Sequence, residues 1–416
     1  MTIKKLRTRL VKTIAEKEEE PLMQAFKKLY LYPLVENPLD AASDLLPIID
    51  KLTDATPQHV EDILILPLPM ANAAAIRGDG LMITTGLLAA AHSQEDLAFI
   101  MAHELAHHRL GHTSERPSES ITTKPVFAKG EVDLEALDEV KTAAYDKKAQ
   151  RRGKEEDADS LGAVLMHAAG YPTHLIAQGL DILGLTLPAE IGVSGLCETF
   201  SFADYPFSPF WLKDRLQVYK QEPRLLFNLN LDSLKTHPNL QLRMERLKEM
   251  ASDFTPVASV EAPTPLAKAY ALPHVVGAYV MGLYDESFRL ALSYHLSDPS
   301  QGEITAFLVA LLMEIYKVKN YGVADQFIPK SIYGYDEDLT LVNTFLLNLR
   351  KSQIHQLAYN FLTDEGRFQS HREDHLYLRW KLSALLKRTN EAIAIKKQYS
   401  QNYPKGTYRN KMSSPY

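Results

Sequence analysis

The pattern of apolar and polar positions predicts helices over most of the chain and strands at only two places. In residues 1–53, apolar side chains that share one helical face favour mostly helical structure: Ala41, Leu45, Leu46, Ile49 and Leu52. The run DILILPL at residues 62–68 is typical of a strand that ends at prolines, and a second short strand is predicted at residues 81–84, after a Gly-Asp-Gly turn. We therefore expect an α+β chain that is mostly helical.

Two long helical regions are predicted between residues 93 and 169. The first should begin at Ser93, because Ser93 and Asp96 resemble a capping box, and it should end at Gly111. Residues 113–131 are rich in Ser, Thr, Pro and Gly and predict a surface loop. The second region runs from about residue 134 to residue 169, with a candidate break at Gly153.

Beyond Thr255 a proline-containing linker leads into aromatic-rich helical sequence without strand signals. Four segments resemble second helices of helix–turn–helix units, anchored at Ser287, Ala324, His355 and Ala392 in steps of 37, 31 and 37 residues. The steps are close to the tetratricopeptide period of about 34 residues, although the consensus Trp is missing. We predict a first domain over 1–255 (helical segment 1–53, core 54–255), tetratricopeptide-like helical repeats over 265–405, and a tail over 406–416.

Composition and charge exclude several classes of protein. The 416 residues are 45% hydrophobic and 24% charged, which argues against disorder and against a membrane-embedded bundle. The net charge of −6, without a long basic run, argues against nucleic acid as a partner. The apolar stretch 304–315 contains Glu314 and is too short for a transmembrane segment. As given, the chain is expected to be soluble and cytoplasmic, or periplasmic or in the bacterial cell envelope if an export leader was removed.

The strongest chemical signal is His103-Glu104-Leu105-Ala106-His107, an HExxH motif in the first long helix. Two histidines four residues apart lie on one helical face, where their ring nitrogens can bind the same metal ion, and the intervening Glu lies next to that face. A catalytic zinc site also needs a third protein ligand and an open position for water.

The third ligand is sought outside the helix. The long form HExxHxxGxxH is not met, because Gly111 and His112 are each displaced by one position. Both His108 and His112 are out of register with the zinc-binding face, so neither is expected to be a ligand. The acidic stretch at residues 155–159 offers a Glu from a following helix instead.

Four motifs then occur in order between residues 39 and 250. HELAHHRLGH is followed, 48 residues after His107, by an ExxAD pattern that begins at Glu155 and by SLGAVLMHAAGYP. Asn72-Ala73 with TTGLL at 84–88 lies upstream, and His237-Pro238 with Arg243 and Arg246 lies downstream. Together they resemble the zinc metallopeptidase family that contains the CAAX prenyl endopeptidases, HtpX and BepA. A peptidase domain without membrane helices and followed by helical repeats most resembles the BepA branch.

The resemblance implies a zincin-type (gluzincin) fold with one zinc ion per chain, held by His103, His107 and Glu155. Glu104 would take a proton from the zinc-activated water and pass it to the leaving amine. Asp159 lies four residues after Glu155 on the same helical face and is expected to hydrogen-bond a ligating histidine.

Two further roles follow from the resemblance. His237 could hydrogen-bond the oxyanion while Arg243 orients the site, or His237 could become a fourth zinc ligand and close the water position. An ordinary helix-terminal His and a salt-bridged Arg are the alternative without a catalytic role. The strand at 81–84 would be an edge strand that pairs with an extended peptide, so the expected substrate-binding residues are Asn72, Leu81, Met82, Ile83 and Thr84. The aromatic segment 200–211 is either a lid over the site or a cluster that seals the domain.

These features favour a zinc-dependent endopeptidase of protein or peptide substrates, with protein quality control as the role that the resemblance implies. The helical repeats would dock a client or partner protein. Two alternatives stay open: a non-catalytic or latent scaffold with a closed zinc site, and a zinc hydrolase of non-peptide amides. The intact Glu104 argues against the scaffold, because a structural zinc site has no use for a general base.

Overall fold

In the described residues, helices and strands form mostly where the apolar pattern predicts them, and three further short strands occur, at residues 73–76, 127–128 and 131–132. The structure is a computed structural model, and the residues that it describes are 8, 11–12, 14, 20–36, 43, 45–54, 60, 62–76, 80–91, 94–113, 127–128, 131–132, 153–172, 174–180, 182, 189–213, 240–255, 257, 266–329, 337–364 and 366–413.

A small sheet lies beside the predicted catalytic helix. Its strands are β1 (Asp62–Leu66), β2 (Ala73–Ile76) and β3 (Gly80–Thr84), in the order β1-β3-β2. The central strand β3 runs parallel to β1 and antiparallel to β2. The prediction that residues 81–84 form an edge strand is therefore wrong, because their backbone is paired on both sides. Among the described residues the outer strands are β1 and β2, and β2 was not predicted because its small alanine side chains carry little strand signal in the sequence.

The other elements of the N-terminal half are mainly helices. A first helix α1 (Pro21–Phe26) continues through a π-helical turn (Lys27–Leu31) into α2 (Tyr32–Glu36). The others are α3 (Leu46–Asp54), α4 (Thr85–Ala90), α5 (Gln94–Arg109), α6 (residues 153–168), α7 (Leu175–Gln178), α8 (Gly192–Phe200) and α9 (Leu240–Ser252). Within the predicted loop 113–131, Phe127–Ala128 pairs with Glu131–Val132. Most of that loop, and residues 134–152 of the second helical region, lie outside the described residues.

The C-terminal part is helical in the residues described, as predicted. Its helices are α10 (Leu266–Val280), α11 (Tyr284–Ser297), α12 (Gly302–Asn320), α13 (Glu337–Asn348), α14 (Lys351–Thr363), α15 (Glu373–Leu385) and α16 (Thr389–Asn402). Three of the predicted anchors lie in helices: Ser287 in α11, His355 in α14 and Ala392 in α16. The anchor Ala324 does not, because Gly322 at φ +75° ends α12 and only a 3-10 turn (Ala324–Gln326) follows.

Helices α4 and α10 clasp the loop that precedes β2. A Cβ on Gly277 of α10 would lie 2.8 Å from the Pro67 carbonyl oxygen, and a Cβ on Gly86 of α4 would lie 2.3 Å from that of Pro69. His274 Nε2 donates to the Pro69 carbonyl at 2.8 Å. The loop is thus held from both sides, and helix α10 of the predicted repeats is packed directly onto the sheet domain.

Two other segments join the N-terminal and C-terminal parts. The Asp338 carboxylate of α13 accepts hydrogen bonds from the backbone N–H of Ile191 and Gly192 at the start of α8. Buried Glu20, just before α1, forms an ion pair with Lys381 of α15. The domain boundary near residue 255 stays a prediction, but hydrophobic packing continues across it.

The aromatic segment 200–211 belongs to this packing. Phe207 and Trp211 contact the ring of Phe345 on α13, and Trp211 is 3% exposed. These contacts favour the cluster over the lid. Among the described residues, no helix combines the length and the hydrophobicity that a membrane crossing requires.

Candidate metal centre and catalytic site

Helix α5 contains the two histidines of the HExxH motif and is largely buried. Leu97–Ala106 is an almost continuous run of buried residues, so α5 is covered on nearly all sides and the motif cannot shift in register without loss of packing. His103 and Glu104 are each 2% exposed. The Nε2 atoms of His103 and His107 lie 3.1 Å apart and face the same space, as their spacing of four residues predicts.

Helix α6 supplies the carboxylate. Glu155 has one oxygen 3.5 Å from His103 Nε2 and the other 3.5 Å from His107 Nε2. Within the described residues, one ligand atom from each of His103, His107 and Glu155 lies within 4.8 Å of the other two. The sequence separates Glu155 from the motif, but the fold places all three side chains around one point.

A glycine makes this approach of α5 and α6 possible. A Cβ on Gly162 would lie 3.0 Å from the Cα of His103 and 3.1 Å from its backbone nitrogen. Without a side chain at residue 162, α6 can lie directly against α5 at the level of the ligands. The motif SLGAVL contains this glycine, but the sequence does not show which helix it faces.

Asp159 lies one turn beyond Glu155 and holds His103 from behind. His103 Nδ1 lies 2.9 Å from Asp159 Oδ1, so this carboxylate faces Nδ1 while Nε2 faces His107 and Glu155. Arg243 of α9 donates to both Asp159 oxygens, from Nε at 2.7 Å and from Nη2 at 2.6 Å. Its Nη1 also lies 3.4 Å from Glu155. Arg243 therefore contacts both carboxylates and orients them.

The charges of the site favour a bound cation. Burial alone would lower the pKa of His103, but its hydrogen bonds to Asp159 and Glu155 and the charge of Glu104 raise it to about 9. Burial alone would raise the pKa of Asp159, but the hydrogen bond from Arg243 and then that from His103 lower it. Anionic carboxylates thus surround two imidazole nitrogens, a donor set that suits zinc. The residues present fit the metal ion.

Glu104 faces the edge strand β2. The backbone N–H of Ala75 in β2 donates to Glu104 Oε2 at 2.6 Å, so one carboxylate oxygen is oriented by the strand next to the metal site. This contact between the predicted base and β2 escaped the sequence analysis. The signal for it was present in Asn72-Ala73, which lead into β2.

The predicted substrate residues of β3 have structural contacts. Leu81 and Ile83 are fully buried, and Met82 is partly exposed. Thr84 caps α4 by accepting a hydrogen bond from Leu87 N, and its hydroxyl also donates to Met70 O at 2.6 Å. Asn72 bonds to Thr84 through its backbone N–H, at 2.9 Å from Oγ1. A pairing of substrate with the β3 backbone is therefore excluded.

Three residues that the sequence singled out remain: His237, His108 and Arg246. His237 lies outside the described residues, so the choice between oxyanion partner and zinc latch stays a prediction. His108 Nε2 contacts the Gly80 carbonyl at 2.9 Å and faces away from the ligands. Arg246 pairs with Glu156 at the exposed surface of α9 and α6.

One comparison with known proteins identifies a family. The sequence profile of Peptidase family M48 matches residues 43–251, about half of the chain. The matched region includes β1 to β3, α5, α6 and Arg243. None of the curated proteins matches this sequence.

Proposed function

This chain belongs to peptidase family M48, and we propose that it is a zinc-dependent endopeptidase that cleaves protein substrates. One observation carries the proposal: Glu104 stands beside the convergent group of His103, His107 and Glu155 and is also hydrogen-bonded to the open edge strand β2. A general base, a metal-ligand set and a strand that can pair with a peptide thus meet at one place.

The residues of the chain divide the chemistry between them. A zinc ion bound by this group would supply a Lewis acid that polarises the scissile carbonyl and lowers the pKa of water. Glu104 accepts the proton that the attacking water loses and delivers it to the leaving nitrogen. Because Ala75 already binds Oε2, we assign the proton transfer to Oε1. Arg243 keeps Asp159 ionised, so that Asp159 accepts the Nδ1 hydrogen of His103 throughout.

The edge strand β2 replaces β3 as the proposed substrate-binding strand. Its neighbour β3 occupies one side, and Ala74, Ala75 and Ile76 are partly exposed. An extended peptide would pair with the outward backbone groups of β2 other than the Ala75 N–H, which bonds to Glu104 Oε2, and such backbone pairing tolerates many sequences. Its scissile carbonyl would then lie near Glu104.

Finer aspects are also proposed from the sequence resemblance. We propose a zincin-type architecture for the catalytic part and a tetratricopeptide-like character for α10–α16, which would dock a client or partner protein. A role in protein quality control fits a peptidase that binds its substrates through their backbone more than through their side chains. The rival, a latent scaffold in which His237 closes the site, predicts metal binding without turnover.

Cleavage of fluorescently labelled casein tests the proposal. We expect Glu104→Gln to keep its zinc and to lose activity about 100-fold or more, because the general base is absent. Glu155→Gln should lose both zinc and activity, whereas Glu156→Gln, with an exposed carboxylate at the next position, should keep both. Full activity of Glu104→Gln would contradict the mechanism. A wild-type protein that binds zinc without cleaving casein, but gains activity as His237→Ala, would support the latent scaffold.

A further inference from the structure

The turn at the end of helix α5 places the side chain of His112 against His107, one of the proposed metal ligands. Gly111 has φ +72°, a conformation that glycine adopts without strain. Its N–H bonds to the His108 carbonyl, and the N–H of His112 bonds to the His107 carbonyl, both at 3.0 Å. These two bonds define a Schellman motif, in which the residue after the glycine folds back over the residue five positions earlier. Here the two residues are His112 and His107.

Where a glycine closes the same motif elsewhere in the described residues, the motif brings apolar residues together; at the end of α15, where Lys387 takes the place of the glycine, the facing pair is Ser383 with Arg388. Gly170, Gly282 and Gly322 also have positive φ, and the same two backbone bonds close α6, α10 and α12. The facing pairs at these three helix ends are Met166 with Tyr171, Ala278 with Leu283, and Val318 with Val323. An apolar contact is the usual partner of a Schellman motif. At the end of α5 a pair of imidazoles stands in its place.

The two imidazoles are in hydrogen-bond contact. His107 Nδ1 lies 2.9 Å from His112 Nδ1, and the ring centroids are 5.1 Å apart with the planes at 60°. His107 Nε2 faces His103 and Glu155, so it is the nitrogen available to a metal. The Nδ1 of a neutral His107 then carries the hydrogen and donates it to His112, whose own hydrogen must be on Nε2.

We propose that His112 is a positioning residue that fixes the ring orientation and tautomer of the metal ligand His107. The proposal rests on the proposed function only in that His107 binds zinc. The two ligating histidines are thus supported differently: His103 donates to the anionic Asp159, and His107 donates to a neutral imidazole. The neutral partner adds no further negative charge to a site that already contains Glu104, Glu155 and Asp159. The displaced Gly111 and His112, which rule out a third histidine ligand in the long motif, thereby have a role of their own.

Three variants separate this role from a structural one. His112→Leu restores the apolar pairing of the motif but removes the acceptor. His112→Asn keeps an acceptor, because Asn Oδ1 is separated from the backbone by the same number of bonds as His Nδ1. His108→Asn is the matched control, because His108 belongs to the same turn and contacts Gly80 rather than a ligand.

Zinc affinity, measured by competition with a chromogenic chelator, is the first readout. We expect His112→Leu to bind zinc 10- to 100-fold more weakly than wild type, while thermal unfolding of its metal-free form is unchanged. His112→Asn should recover most of the affinity, and His108→Asn should match wild type. Wild-type affinity in His112→Leu would overturn the proposal, as would an equal loss in His108→Asn. If the wild-type chain itself binds no zinc, both this proposal and the proposed function fail.

Nuclear magnetic resonance of the zinc-loaded protein is the second readout. Nitrogen-15 shifts of the imidazole rings should show His112 with its hydrogen on Nε2 and a bare Nδ1. A hydrogen on Nδ1 of His112 would overturn the proposal whatever the affinities. With cobalt(II) in place of zinc, the visible absorption bands should differ between His112→Leu and wild type and should coincide for His112→Asn.

Discussion

The buried pair of Asp159 and Arg243 gives the sharpest test of how the site is held together. Asp159 is 6% exposed and Arg243 is 4% exposed, and two hydrogen bonds of 2.7 and 2.6 Å join them. Removing Asp159 leaves the buried Arg243 charge with only the longer contact of 3.4 Å to Glu155. We expect Asp159→Asn to lower the free energy of unfolding by about 3–5 kcal/mol, the usual cost of breaking a buried ion pair.

The opposite change should cost less. In Arg243→Met, Asp159 keeps His103 as a partner, and the raised pKa of His103 means that this imidazole is protonated in the metal-free protein at neutral pH. We expect a loss of about 2 kcal/mol. In the double variant neither Asp159 nor Arg243 remains as a buried charge without the other, so a coupling energy of about 2 kcal/mol should appear in the double-mutant cycle.

The same two helices provide a matched control. Arg246 and Glu156 form an ion pair between α9 and α6, with side chains 51% and 50% exposed. Because solvent screens this pair, Glu156→Gln and Arg246→Met should each cost less than about 1 kcal/mol and should show little coupling. Urea unfolding in the presence of a chelator measures both cycles, and similar slopes are required for the comparison.

One result would refute this reasoning. If Asp159→Asn costs no more than Glu156→Gln, burial does not amplify the charge interaction at this site. Wild-type stability of Arg243→Met, together with no coupling energy in the double-mutant cycle, would also show that Arg243 does not hold Asp159.

Three further predictions concern packing, pH and metal. Gly162→Ala should weaken zinc binding about 10-fold, because its Cβ would lie 3.0 Å from the His103 backbone and would separate α6 from α5. Gly153→Ala is the control, since the space around its Cβ is open and its zinc affinity should not change. Equal affinities of the two variants would contradict the assigned role of Gly162. Burial lowers the pKa of His274 to about 4, with Tyr294, Glu286 and Arg289 around it, so the unfolded chain binds a proton that the folded state does not. The share of His274 in the stability lost as pH drops from 6.5 to 4 should be about 3 kcal/mol, and a His274→Gln variant with the same pH slope as wild type would contradict this. Zinc at a hundredfold excess over its Kd should raise the free energy of unfolding by about 2.7 kcal/mol. Calorimetry should find this increase in the wild-type protein, no increase in Glu155→Gln, and its loss when a chelator is added.

The sequence predicted the chemistry better than the strand arrangement. The spacing of His103 and His107 is a property of any helix, so their common face follows from local geometry alone. Glu155 and Asp159 share a face for the same reason, and the order of motifs indicated that this face would meet the histidines. The structure brings these side chains together as predicted. The helical C-terminal part was equally accessible, because its apolar periodicity is local.

The prediction for Leu81–Thr84 failed for a physical reason. Two apolar runs, residues 62–66 and 80–84, have the composition of buried strands, and either could be central or at an edge. The choice depends on a third strand, β2, which is built mainly from alanine. Sheet order is decided by pairing between segments, and a single strand contains no record of its neighbours.

What the sequence determined by itself was therefore the set of candidate groups: the two histidines of the HExxH motif, the intervening Glu104, and a carboxylate on a second helix. Only the tertiary structure decided how these groups are oriented, through the missing side chain of Gly162, the buried Arg243, the Ala75 N–H on Glu104, and the return of His112 onto His107. The physical reason is that helical periodicity acts over four residues, whereas these contacts join separate backbone segments or depend on the direction in which a helix end turns.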